Sequence, residues 1–243
     1  MNDINKGIIA TAVGGIFLLI AVLIINDTLR DRNKDSQTIN VTGSAKMDIV
    51  SDLGFLAATV SSQSSSPQEA YRQMKSQLSQ VLVYLEGKGF KKDAVSLSPP
   101  SSYDIFEVSA SGYTTQRVIG RNYSQRFEIK SADVQLIQSI SLEIVSLIEK
   151  GVNVVTEPPR FIYTKLADVK IEVQSEAAKD AMNRANRVAS ATDRTLGELR
   201  NARMGVLQIT PKNSNQISDY GINDEYSIEK EITAVVNASF VIY

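Results

Sequence analysis

The sequence predicts an α+β fold: antiparallel sheets with helices packed on them, preceded by one N-terminal transmembrane helix. Three observations carry the prediction. An uncharged run, Ile8 to Ile25, opens the chain. Segments of period-two alternation recur from Ile39 to the C-terminus, and between them lie three stretches whose apolar residues fall at three- and four-residue steps.

At about 1.5 Å rise per helical residue, the uncharged run is just long enough to cross a bilayer core of about 30 Å. It ends Leu23-Ile24-Ile25-Asn26-Asp27, without a small-residue cleavage site, and the chain has no cysteine for a lipid. The run therefore reads as an uncleaved anchor. Residues 1–7 are then a short tail, 8–25 the anchor, 26–38 a juxtamembrane linker, and 39–243 a domain large enough for one core or two lobes. Gly14-Gly15 lets another helix come close but forms no G-x-x-x-G pair, so simple tethering is expected.

Ile39 to Ile49 and Leu53 to Ser61 alternate on either side of Ser51-Asp52 and read as a strand pair. Ser66-Pro67-Gln68-Glu69 supplies an N-cap, a first-turn proline and a glutamate three residues on, so a helix begins there. Its core face is read as Tyr71, Met74, Leu78, Val81, Leu82 and Leu85, with Gly87 or Gly89 ending it.

Val95 to Leu97 reads as a short strand stopped by Pro99-Pro100, and Val118 to Ile129 as a longer one behind a hairpin region at Ser109 to Thr115. A second helix spans about Asp133 to Lys150, capped by Ser131 or Asp133 and stopped by Gly151. After it the order recurs: Val152 to Thr156, Pro158-Pro159, then Phe161 to Lys165. Helix end, strand, Pro-Pro and aromatic segment thus appear twice, suggesting an internal strand-helix-strand repeat.

The third helix runs from Lys170 to about Thr192, with Ala177, Ala181, Ala185 and Ala189 at every fourth position, a stripe that allows close packing on a sheet or helix. Leu199 to Thr210 and Glu231 to Tyr243 are the closing strands, joined by a polar loop, Pro211 to Ser227.

Composition excludes more chemistry than any motif suggests. With no histidine and no cysteine, every scheme that needs imidazole, thiolate or a Cys/His zinc site is absent, and no cofactor is implied. The 26 basic and 27 acidic residues are interspersed, so no field attracts a phosphate backbone and nucleic acid is not an expected partner. No catalytic, cofactor or metal residue is assigned.

The candidates considered all have plainer explanations. Ser61-Ser62-Gln63-Ser64-Ser65-Ser66 lacks a G-x-S-x-G elbow; only a Ser/Lys hydrolase would suit it, and a loop running into a helix cap explains the serines. Asp224, Glu225, Glu229 and Glu231 lack EF-hand spacing. Asn40, Asn122 and Asn237 head Asn-x-Ser/Thr triplets, informative only in a host that glycosylates exported proteins. Tyr103, Phe106, Tyr113 and Tyr123 cluster about the hairpin region as candidates for assembly.

Taken with the membrane segment, Val41-Thr42-Gly43-Ser44-Ala45, the Ser/Pro-capped helix Ser66 to Leu85, the helix bearing Ala177, Ala181, Arg184, Ala185 and Ala189, and the alternating last strand resemble the SIMPL family, the group of domain of unknown function 541 that includes periplasmic and outer-membrane immunogenic proteins. The likeness covers roughly Ile39 to Tyr243, and its motifs are soft patterns of apolar and small residues. Ala191 to Gly197 departs from it, being more polar than the A-x-x-x-G turn of such helices. The resemblance implies sheets covered by helices, a place outside the cytoplasm, assembly into rings or channel-like bodies and a link with envelope stress, and it carries no catalytic residues.

Charge alone points the other way on topology. Lys6 and the α-amino group precede the span and Arg30, Arg32 and Lys34 follow it, which favours a cytoplasmic domain. The resemblance outweighs that small bias, so the expected site is the inner membrane, single-pass, with the domain facing the periplasm or cell exterior. The leading expectation is a non-enzymatic, membrane-anchored envelope protein that forms a homo-oligomer. A small-ligand or peptide-binding module, with a groove between two lobes, is the alternative, and a Ser/Lys hydrolase ranks third.

Overall fold

The computed structural model describes residues 37–243. The expected anchor, residues 8–25, lies outside them, and among the described residues no helix is long and apolar enough to cross a membrane.

The first two strands do not pair with each other. β1 (Thr38–Val50) and β2 (Leu53–Ser64) flank Ser51-Asp52 as expected, yet each belongs to a different sheet. β2 runs into α1 (Pro67–Gly87), whose cap is the predicted one: Ser66 Oγ accepts from the Glu69 amide, with Pro67 in the first turn. Ala70, Met74, Leu78, Val81 and Leu85 form its buried stripe. Tyr71 is exposed and Leu82 only half-buried, because the face turns slightly from the one the spacing suggests.

A 3₁₀ turn (Lys92–Ala94), β3 (Val95–Leu97) and β4 (Ser101–Val108) follow, then β5 (Thr114–Ser131). β4 was not legible as a strand, because its partner is the first half of β5 and its side chains do not alternate in polarity. Asp133 caps α2 (Val134–Glu143) by accepting from the Leu136 amide at 3.0 Å. The predicted helix to Lys150 continues, but its last seven residues wind as a 3₁₀ helix (Ile144–Lys150), which Gly151 ends at φ 81°. β6 (Val154–Thr156) and β7 (Arg160–Ile162) complete the pattern.

The suggested repeat is real in topology. β2-α1-β3-β4 and β5-α2-β6-β7 surround a central antiparallel β2/β5 pair; β3 and β4 pair with β5, and β6 and β7 pair with β2. Each helix thus joins two parallel strands across an intervening one, and the order β3-β5-β2-β6 is that of a split β-α-β, ferredoxin-like sheet. Leu56, Val60, Phe127 and Ile129 meet Val81, Leu85, Ile137 and Ile140 in its core.

The second sheet joins the two ends of the described chain. β1 pairs along its whole length with β11 (Glu229–Ile242), from Thr38 opposite Val241 to Val50 opposite Glu229. On its other side β11 pairs with β8 (Leu196–Met204) and β9 (Gln208–Pro211), so the single strand expected over Leu199 to Thr210 is two strands broken at Gly205. β10 (Ile222–Asn223) pairs parallel with β9, the one departure from antiparallel pairing in the described sheets, and falls inside the expected loop. α3 (Leu166–Ala191) begins four residues before Lys170 and covers one face. Its Ala177, Ala181 and Ala185 pack with Ile232, Ala234 and Val236 in a second core.

Candidate functional site

Three places on this scaffold collect chemistry: the junction between the sheets, the open face of the β1/β11/β8 sheet, and the outer end of the β4/β5 pair.

At the junction, Lys230 is 3% exposed although every neighbour along β11's inner face is apolar. Its ammonium donates to the main-chain carbonyls of Phe161, on β7, at 2.6 Å and of Asp224. One cation thereby fastens the first sheet to the loop of the second. Burial pushes the Lys230 ammonium below its ordinary range, while Asp224 and Glu225 pull it back up. Beside it, Asp52 accepts from the Thr164 amide at 2.8 Å and hydroxyl at 2.7 Å. Partial burial raises the Asp52 carboxyl, but the two Thr164 bonds, helped by its own amide and Lys165, more than offset this and leave it below its usual range. Ser51 N–H donates to the Ile228 carbonyl, and Phe161 N–H to that of Glu225. The cleft here holds about 210 Å³ and includes Ile49, Ile162, Leu166, Ile209 and Lys230 in its lining. That is below the ~300 Å³ at which small-molecule pockets begin, and Lys230 forms part of its wall. Lys230 was missed in the sequence because it falls just before the strand expected from Glu231; its phase, in register with Ile232, Ala234 and Val236, was the available signal.

On the open face of the other sheet, cross-strand register sets two polar rows. Thr42 opposes Asn237, which opposes Arg203; Asn40 opposes Ser239, which opposes Asn201. Thr42 Oγ1 donates to Asn237 Oδ1 at 2.7 Å. The six line a shallow trough of about 440 Å³. Two of the three Asn-x-Ser/Thr asparagines, Asn40 and Asn237, are exposed here, whereas Asn122 is buried on β5.

At the third place, β5 extends beyond its last β2 partner, Arg121 opposite Ser64, and pairs with β4 alone. Tyr103 (63%), Phe106, Val108, Tyr113 (76%), Val118 and Ile119 are exposed on this ribbon. Three of the four aromatic candidates are therefore outward. The fourth, Tyr123, instead packs edge-on against Tyr71 of α1, with ring centroids 5.5 Å apart. Asp104 pairs with Arg121 at 2.6 Å and Glu107 with Arg117 at 3.4 Å.

The serine run is structural. Ser61 Oγ accepts from Asn153, Ser62 donates to Gln73, and Ser66 caps α1. No lysine ammonium donates to a serine among the described residues. The four acidic candidates face different partners. Asp224 accepts from the amides of Tyr226 and Ser227, Glu225 faces Arg160, Glu229 faces Lys212, and Glu231 pairs with Lys46. Among the described residues, no three metal-capable side chains gather in one place.

A family model described as SIMPL, a protein of unknown function (DUF541), matches residues 39–240. No curated protein matches the chain.

Proposed function

We propose, from the premise that this chain belongs to the SIMPL family, that it is a membrane-anchored envelope protein working by association with copies of itself rather than by turnover of a substrate. Its uncharged N-terminal run would hold it in the inner membrane, with the domain on the periplasmic or outer side. The observation that supports the reading best is the β4/β5 ribbon. Two paired strands with no third strand beside them are barely stable in water, and beyond Arg121 this ribbon and its loop expose five large apolar side chains, Phe106, Val108, Tyr113, Val118 and Ile119. A partner that covers them removes both costs. Light scattering on the intact detergent-solubilised chain, after size exclusion, tests the reading: a defined multiple of the protomer mass is expected, and a monomer at working concentrations overturns it.

The polar trough supports a second reading, a ligand-binding module. Thr42, Asn237, Asn40, Ser239 and Asn201 offer hydroxyl and amide groups, and Arg203 has no ion-pair partner among the described residues. Thermal stabilisation of the chain by an anionic, hydroxyl-rich envelope metabolite, lost in Arg203→Ala, would favour it. No stabilisation across such a set would count against it.

A further inference from the structure

We propose that the pocket between loop 212–220 and the β1/β11/β9 face is a binding site for a neutral polyhydroxyl ligand no larger than a single sugar ring. Cross-strand register builds its floor: Lys46 opposes Thr233, which opposes Gln208, and Thr210 lies two residues further along the same face. The loop returns over that floor, with Ser214 N–H donating to the Pro211 carbonyl at 3.0 Å and the Gln208 side-chain amide donating to the Ser218 carbonyl at 2.7 Å. Ser214 and Asn215 bring the loop's polar groups to the same space, about 170 Å³.

Gln208 carries the inference. It is 8% exposed, and its Oε1 is buried with no hydrogen-bond partner. The amide cannot turn round to cure this, because the Ser218 carbonyl only accepts and must therefore face Nε2. A buried acceptor left unmet is costly, and buried polar groups are otherwise paired with few exceptions. The hydroxyls of Thr210, itself 3% exposed, and of Thr233 also have no partner among the described residues. All three side chains line the one pocket.

The chemistry of the ligand follows from these groups. Oε1 requires a donor, which a bare anion lacks. Lys46 beside the pocket and the absence of any carboxylate from its lining disfavour a cation, and the Lys46 ammonium is already committed to Glu231 at 2.7 Å. Hydroxyls and side-chain amides donate and accept at once, and the adjacent hydroxyls of a polyol answer both needs. At ~30 Å³ of liquid volume per water the pocket has room for about six waters, the scale of one small polyol and not of an enclosed oligosaccharide. The site shares the open face with the trough around Arg203, but no residue lines both.

Saturation-transfer NMR on the full-length chain in deuterated detergent tests the site, with myo-inositol, glucose and ribitol as the probes. Expected are transfer to at least one probe at about 10 mM and an affinity at least tenfold weaker in Gln208→Met and in Thr233→Val, each with an unchanged circular dichroism spectrum. Arg203→Ala, in the trough, and Tyr113→Ser, on the ribbon, should leave the affinity as it is. Transfer to none of the three probes means that the pocket takes water alone and overturns the proposal. Binding that survives both pocket variants, or that is lost in Arg203→Ala, places the ligand elsewhere and overturns it too. If Gln208→Met does not fold, Thr233→Val decides.

Discussion

Gly43 and Ala181 bring β1 and α3 together backbone to backbone. A Cβ on Gly43 would stand 2.7 Å from the Ala181 Cα, and closer still to the Ala181 nitrogen and the Ala177 carbonyl oxygen. Next to this contact Ser44 N–H, on an edge strand, donates to Asp180 Oδ2 at 2.9 Å, and Arg184 donates to the same oxygen at 2.7 Å. The alanine stripe and the glycine are therefore one feature seen from two elements: small residues let the helix sit low enough for its own Asp180 to take a strand amide.

Gly43→Ala is expected to cost about 3 kcal/mol, the upper end of overpacking, read as a fall in denaturant midpoint at constant slope. Because the clash is with main-chain atoms, Ala181→Gly does not restore stability. Rescue by that second change would show that side chains set the spacing.

Asp133→Ala removes the acceptor for the Leu136 amide at the start of α2 and is expected to cost about 1 kcal/mol. Chemical denaturation reads it, and Asp133→Ser should recover most of the loss. An equal loss for both variants would show that the negative charge, not the cap bond, matters.

Replacing Lys230 by Met leaves the Phe161 and Asp224 carbonyls without their donor and is expected to destabilise the fold by about 2 kcal/mol. The native chain also carries a pH signature. Since the buried ammonium titrates below 10.5, the native state binds fewer protons than the unfolded state between its lowered pKa and 10.5, so Lys230 becomes less costly as pH rises through that window. A neutral amine still has two N–H groups for the two carbonyls. The gap in unfolding free energy between native chain and Lys230→Met should therefore widen toward pH 10.5; a gap that stays flat would mean that Lys230 is not desolvated.

For Asp52 the sign is opposite. Its carboxyl lies below the ordinary value of 3.8, so its contribution is complete above pH 3.8 and is lost as pH falls through the lowered folded value. Urea titrations of the native chain and Asp52→Asn should differ at about pH 6 and converge at the acid end. Parallel curves across that range would remove Thr164 as the cause.

Local chemistry made much of the molecule legible. Ser66-Pro67 and Asp133 start helices where they stand, because a cap needs only its own next three amides. The four-residue alanine spacing marked the buried face of α3, and the recurrent Pro-Pro punctuation marked a repeat that the ferredoxin-like topology contains. Tyr103, Phe106 and Tyr113 stood out as aromatics clustered near a hairpin and candidates for assembly, and they are exposed.

Short stretches of residues thus sufficed for most of the elements, for the covered face of α3 and most of that of α1, and for the classes of chemistry denied by the lack of histidine and cysteine. Partnership belongs to the folded molecule. Alternation says that a strand has an inside and an outside but not which strand lies beside it; β1 passes over its neighbour β2 to pair with β11, nearly two hundred residues away, from Thr38↔Val241 onward. Pairing of β11 with β8 likewise sets Arg203 beside Asn237, and the end of β2 at Ser64 leaves the outer β4/β5 ribbon without a third strand. Each of these depends on which backbone edges satisfy one another's hydrogen bonds, a property of the assembled sheet that no local window of residues contains.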